Sequence, residues 1–230
     1  MTDIATPQID AVLFDYGLVL SAAPDPAAWA RMRAITSLDE DPLHTAYWAY
    51  RHDYDRGTLN GTAYWHAVAA HAGTTFDPSQ IAALNAADTD LWTSLNLPMV
   101  AWAARLQTAR IRTGILSNIG DSIAEGIVAK LPWLSAFNHR TWSHELFLAK
   151  PDSAIYLATA EALGTPPAHI LFIDDREDNI AAAAALGFQT IRYTTHPIFE
   201  QEMRTRGLAW LLDIGAVAAA PIRVATAPQS

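Results

Sequence analysis

The chain has no cysteine among its 230 residues. A disulfide framework, a thiolate metal site and a cysteine nucleophile are thereby excluded. Lysine is almost as scarce, with Lys130 and Lys150 the only two. Lysine and arginine together number 15 against 24 acidic residues, a formal charge of −9, so an overall basic face for nucleic acid is not expected. No apolar run approaches the ~20 residues that cross a bilayer. The start, MTDIATPQIDAVLFD, lacks the basic stretch and apolar core of a secretory signal. The expectation is a soluble cytoplasmic protein with no nucleic-acid or membrane partner. Apolar residues make up 51% and charged residues 17%, which excludes a disordered chain and allows a sizeable core.

Four short apolar runs read as buried strands: residues 11–15, 113–117, 169–174 and 188–193. Between them lie helical stretches at 100–109, 154–163 and 179–186, the last two closed by Gly164 and Gly187. Strand–helix alternation of this kind predicts an α/β fold, a Rossmann-like doubly wound parallel sheet with helices on both faces. Residues 21–95 break the alternation. Segments such as WARMRAI, HTAYWAYRHDYDRG and GTAYWHAVAAHAG have helical spacing, with stops at Gly57 and Gly73. The expected organisation is a core of residues 9–20 and 96–214, an inserted α-helical cap over 21–95, and loose termini at 1–8 and 215–230.

In doubly wound sheets, ligands bind beyond the carboxyl ends of the strands. Four polar clusters fall there or in the adjoining loops: Asp15; Ser117 with Asn118; Lys150 before Pro151; and Asp174 with Asp175, followed by Asn179. Each has an ordinary reading. Asp15 is a plausible strand-end cap, Ser-Asn is common turn chemistry, and paired aspartates suit a helix start near Glu177. Together they suit phosphoryl chemistry. Two carboxylates and a backbone carbonyl make an oxygen site for Mg²⁺, and a carboxylate can attack phosphorus. A hydroxyl and an ammonium can hold the other phosphoryl oxygens. The cap aromatics Tyr47, Trp48, Tyr50, Tyr54, Tyr64 and Trp65 read mainly as core. Arg51 and Arg56 read as solvated or paired with Asp53 or Asp55.

FDYGLVL, LSN, SHELFLAKP and FIDDREDNI, in that order, resemble the four motifs of the haloacid dehalogenase superfamily, over residues of about 10 to 195. Within it, the chain is most similar to bacterial alpha-D-glucose-1-phosphate phosphatases and the phosphatase domain of soluble epoxide hydrolases. The resemblance implies a Mg²⁺-dependent phosphatase acting on a small phosphorylated metabolite, a sugar phosphate or similar, with a C1-type helical cap. Asp15 is implied as nucleophile and metal ligand, Gly17 as a metal ligand through its carbonyl, and Asp175 as the second carboxylate ligand. Ser117 and Lys150 are implied to bind the phosphoryl group, with Asn118 beside it. Asp174 is implied to orient Lys150 or a metal-bound water, with Asn179 in support.

Two positions depart from the superfamily pattern. Gly17 stands where most phosphatases of this kind carry the aspartate that protonates the leaving group. General acid–base help is worth about 10²–10⁴-fold, so poor leaving groups are expected to suffer most. A cap histidine (His44, His52, His66 or His71) is one candidate to replace it. Phe147 stands where glycine is usual, from which only a local loop change is expected. Two rival readings stay open. A 2-haloacid dehalogenase also uses an aspartate nucleophile but attacks carbon and needs no metal; its pattern lacks the paired aspartates. The other rival is a catalytically weakened binding or regulatory protein. An aromatic-rich cap is also compatible with a homodimer.

Overall fold

The computed structural model describes residues 8–215. Apart from Gln8 and Gly215, the termini expected to be loose lie outside the described residues. Five parallel strands form one sheet: β1 (Ala11–Phe14), β2 (Arg112–Ser117), β3 (His139–Trp142), β4 (Ile170–Asp174) and β5 (Gln189–Arg192), in the order β3-β2-β1-β4-β5. The chain runs outward from β1 through β2 and β3, then returns to β4 on the other side of β1. The order therefore reverses beside the central strand, and a crevice opens at the carboxyl ends of β1 and β4.

Strand β1 is fully buried, Ala-Val-Leu-Phe without a polar residue, as expected for a central strand covered on both faces. Its side chains alternate between two cores. Ala11 and Leu13 join Leu116 and Phe172 against Ile155, Tyr156 and Ala160 of α9 (Ser153–Leu163) and Ala183 of α10 (Glu177–Ala185). Val12 and Phe14 face the other way, where Phe14 meets Trp102 of α6 (Leu97–Thr108) edge-on at 5.5 Å.

All four expected strands lie where the sequence places them, to within a residue at each end; the first ends at Phe14, just before Asp15. Strand β3 was not anticipated. HRTW opens with two charged or polar residues and has no apolar run, because an edge strand needs only its inner half buried. Helix α7 (Asp121–Lys130), with α11 (His196–Thr205) and α12 (Ala209–Asp213) near the carboxyl end of the described residues, was likewise unannounced.

Between β1 and β2 lie α1 (Pro26–Thr36), α2 (Glu40–Ala49), α3 (Arg51–Arg56), α4 (Gly61–His71) and α5 (Pro78–Leu91). No strand interrupts them. Helix α5 is the longest of these and was not expected; an Asp77–Gln80 capping box and Pro78 start it. An antiparallel bridge between Ser21 and Leu95 closes the base of the segment. Gly57 ends α3 with φ 86°, the left-handed stop expected of it.

The helical segment meets the sheet loops at contacts that need glycine. A Cβ on Gly120 would lie 2.2 Å from the ring of Tyr54. That ring is fully buried and stacked on Tyr64 at 4.4 Å, so it has nowhere to go. Gly120→Ala is expected to lower stability by about 1–3 kcal/mol, read as a urea-midpoint shift at unchanged slope.

Candidate active site

The four polar clusters singled out in the sequence come together at the carboxyl edge of the sheet. Asp15 follows β1, Ser117 ends β2, Asp174 ends β4, and Asp175 follows it. Asp15, Asp174 and Asp175 each offer a carboxylate oxygen within 4.8 Å of the others. Lys150 reaches in from the loop after α8 (Ser143–Leu146), and its ammonium lies 2.9 Å from Asp15 Oδ1 and 2.7 Å from Asp174 Oδ2. The lysine side chain is 1% exposed. A buried ammonium so placed is a designed contact, since unpaired burial of charge is costly.

Asp174 is held on all sides. Its oxygens accept from Lys150 Nζ, from Asn179 Nδ2 at 3.0 and 3.1 Å, and from the Arg176 N–H at 2.8 Å. It positions Lys150 and is poorly free to do more. Asp15 differs: Oδ1 accepts from the Tyr16 N–H at 2.7 Å and from Lys150, while Oδ2 has no partner among the described residues. Asn118 is in the cavity wall, and its amide is partly occupied. Its Oδ1 accepts from the Lys150 N–H at 2.8 Å and its Nδ2 donates to the Lys150 carbonyl at 2.9 Å. Asn118 therefore fixes the lysine loop, and its second Nδ2 hydrogen has no partner among the described residues. Ser117 is 3% exposed and borders the same cavity.

Burial is the main force on these groups. It pushes the Asp15 carboxyl up to about 7; Lys150 works against that rise and Asp174 adds to it. Asp175 is also raised, by burial and then by Asp174. For Lys150, burial disfavours the charge, but Asp15 and Asp174 outweigh it, so the ammonium is held above its ordinary value. Three carboxylates against one lysine leave excess negative charge, which a divalent cation would relieve. Asn179 Oδ1 is buried without a partner among the described residues and borders the cavity.

A cavity of about 510 Å³ opens over this cluster, within the usual range for small-molecule sites. The helical segment closes its outer side with Trp48, Arg51, His52, Asp55 and Trp92. Sequence reading took Trp48 mainly as core and Arg51 as solvated or paired with Asp53 or Asp55; the Asp55 pairing is present. Four of the six aromatics named there, Tyr47, Tyr54, Tyr64 and Trp65, are core; Trp48 is 48% exposed. Arg56 pairs with Asp152 at 2.9 Å, and with neither Asp53 nor Asp55. Arg51 is buried. It donates from Nε to Asp55 Oδ1 at 2.8 Å, lies 3.4 Å from Asp88 Oδ2, and donates to the Tyr47 hydroxyl, which donates to Asp88 at 2.8 Å. Asp88 was missed. Its signal was an acidic residue between Leu84 and Leu91 on the inward face of α5.

This cluster has a testable electrostatic character. Burial lifts the Asp55 carboxyl to about 6 despite Arg51. A raised native value means the folded state binds the extra proton, so stability present below about pH 4 is lost as pH rises through 6. Asp55→Asn cannot ionise. Its stability relative to the native chain is expected to improve between pH 4 and pH 7 in urea titrations; a constant difference would contradict the assignment.

Phe147 closes α8 with φ 55° and is 63% exposed. The left-handed turn is where glycine is the usual residue.

A family model described as haloacid dehalogenase-like hydrolase matches residues 9–187. The fold is similar to that of a HAD family enzyme of Bacteroides thetaiotaomicron, at 20% identity and TM-score 0.70 over 86% of this chain and 99% of that one. The same enzyme in complex with magnesium and inorganic phosphate gives TM-score 0.67 at 20% identity, covering 82% and 96%. An L-2-haloacid dehalogenase of Xanthobacter autotrophicus with chloropropionic acid covalently bound gives TM-score 0.62 at 20% identity, covering 86% and 83%. In sequence, 84 residues are 30% identical to an (S)-2-haloacid dehalogenase of Pseudomonas fluorescens, 36% of this chain and 37% of that protein. The match thus spans about a third of that relative. The structural likenesses, at these identities, speak for fold.

Proposed function

The chain belongs to the haloacid dehalogenase-like hydrolases, and from that premise we propose that it is a Mg²⁺-dependent phosphatase of a small phosphorylated metabolite. The observation that carries the reading is Lys150 bridging Asp15 and Asp174 with Asp175 alongside, three carboxylates within 4.8 Å. The paired aspartates within it are what the dehalogenase pattern lacks. Asp15, Asp175 and the Gly17 carbonyl would hold Mg²⁺, whose charge would offset that of the phosphoryl oxygens.

The chain's own groups then divide the work. The Asp15 carboxylate attacks phosphorus in line; the Asp15 O–P bond forms as the bond to the leaving oxygen breaks, and that oxygen takes a proton from solvent water, since Gly17 offers none. Water next attacks phosphorus and gives its proton to solvent, the Asp15 O–P bond breaks, and phosphate departs. Lys150 and Ser117 hold the phosphoryl oxygens through both steps. Asp174 and Asn118 keep Lys150 in place. Residues 21–95 act as a cap on the core of 9–20 and 96–214, limiting water at the site. The cap lining favours a polyhydroxylated leaving group. Arg51, Asp55 and His52 offer donors and acceptors, and Trp48 and Trp92 offer apolar faces. A sugar phosphate is the finer reading.

The second reading is a 2-haloacid dehalogenase, favoured by the partial sequence match to the Pseudomonas fluorescens enzyme. One experiment separates them. Phosphate release is measured from a panel of sugar phosphates, acyl phosphates and p-nitrophenyl phosphate, with Mg²⁺ and with EDTA. Chloride release is measured from 2-chloropropionate. Mg²⁺-dependent phosphate release is expected; metal-independent chloride release alone would reverse the assignment.

A further inference from the structure

The turn that follows Asp15 runs against its own sequence preference. Gly17 (φ −63°, ψ 131°) and Leu18 (φ 58°, ψ −1°) have the dihedrals of the two central positions of a type II turn. That turn accepts most residues at the first position and calls for glycine or asparagine at the second. Here the order is reversed. Glycine occupies the place that does not need it, and a bulky leucine takes the left-handed one. The turn is otherwise ordinary, since the Leu18 N–H donates to Ser21 Oγ at 3.1 Å. A left-handed leucine is a steric outlier, and such outliers persist where the site uses them.

What the two residues border gives the reason. Leu18 is 40% exposed. Leu18 and Asp175 are common to the site cavity and to a neighbouring groove of about 700 Å³, which Ser21, Asn96 and Tyr193 also line. Gly17 borders a recess of about 120 Å³ shared with Trp48, Trp92, Arg51 and Asp55. A Cβ at Gly17 would lie 3.7 Å from Trp92, an ordinary contact, so packing does not demand glycine there. A side chain is thus absent on the recess side, where the turn would accept one, and present on the groove side, against the turn's preference.

We propose that Leu18 is a specificity-determining residue, the wall that confines the leaving group to the site cavity and the recess above Gly17 and bars it from the groove. The favoured substrate class is a phosphate ester whose leaving group is compact, of single-sugar size; one that extends further, such as a nucleoside, is rejected. This inference rests on the phosphatase reading.

The test compares Leu18→Gly and Leu18→Asn with the unaltered full chain, in Mg²⁺, on glucose 1-phosphate and adenosine monophosphate, with melting temperatures measured alongside. Both replacements suit the left-handed position, so both are expected to melt at higher temperature. Both are also expected to move the kcat/KM ratio at least ten-fold toward the nucleotide. Unchanged ratios with raised melting temperatures would overturn the wall and leave Leu18 as a strained turn residue. If the unaltered chain releases phosphate from no ester in the wider panel, the phosphatase reading fails, and this proposal with it.

Discussion

Asp15→Asn is expected to lower phosphate release at least about 10³-fold with a melting temperature within a few degrees of the unaltered chain. The scale follows from removing a nucleophile, after which only binding and electrostatic help survive. An amide has no ionised oxygen with which to attack phosphorus. The fold should tolerate the change, because the amide oxygen can still accept from the Tyr16 N–H and from Lys150, the two donors that Asp15 Oδ1 now serves at 2.7 and 2.9 Å. Lys150 loses one charged partner but keeps Asp174 at 2.7 Å, so the buried ammonium is not left unpaired. Activity within ten-fold of the original would remove Asp15 from the nucleophile's role.

A single turnover in oxygen-labelled water adds a chemical readout. In a phosphatase, water attacks phosphorus, and the label leaves in phosphate. In a carbon-attacking enzyme the intermediate is an alkyl ester, water attacks its acyl carbon, and the label stays in Asp15. Label in phosphate is expected.

The sheet centre and the chemical edge were readable from sequence for the same reason. AVLF and ILFI are apolar throughout because both faces of β1 and β4 are covered, and each run stops abruptly at an aspartate. Abrupt changes of character are what a single sequence displays well. The edge strand HRTW lacks that contrast and went unread. The RHDYDR hexapeptide misled for a different reason. All six of its residues carry polar or ionisable side chains, and local composition says solvated or locally paired; but Arg51 is 7% exposed, because Asp88 also approaches from a helix 37 residues away. Long-range pairing of that kind leaves no trace in the hexapeptide itself; its one signal lay on α5, in an acidic residue on an inward face. Leu18 is a third case. The identity of the residue was plain, but only backbone dihedrals reveal that leucine occupies glycine's place in the turn.

Removing the Arg51 charge is expected to be the most damaging single change to stability. Arg51→Met preserves most of the apolar stem but leaves Asp55 and Asp88 facing each other in the interior without a cation. Breaking a buried ion pair from one side costs about 3–5 kcal/mol, and that full cost is expected near pH 8. It should shrink toward pH 5, and the sign follows from linkage. Asp55 is already raised to about 6 and Asp88 is raised as well, in each case by burial, with Arg51 the main opposing influence. Without the guanidinium both values climb further. The variant's native state then holds protons that its unfolded state releases, and its stability falls as pH rises through that interval. Arg51→Lys is not expected to rescue it. One guanidinium serves Asp55, Asp88 and the Tyr47 hydroxyl together, a planar arrangement an ammonium does not reproduce. Urea midpoints at pH 5 and pH 8 give the measurement. A loss independent of pH would mean that the cluster acts through packing and not through charge, and that the two carboxyls in the cap are protonated even with Arg51 present.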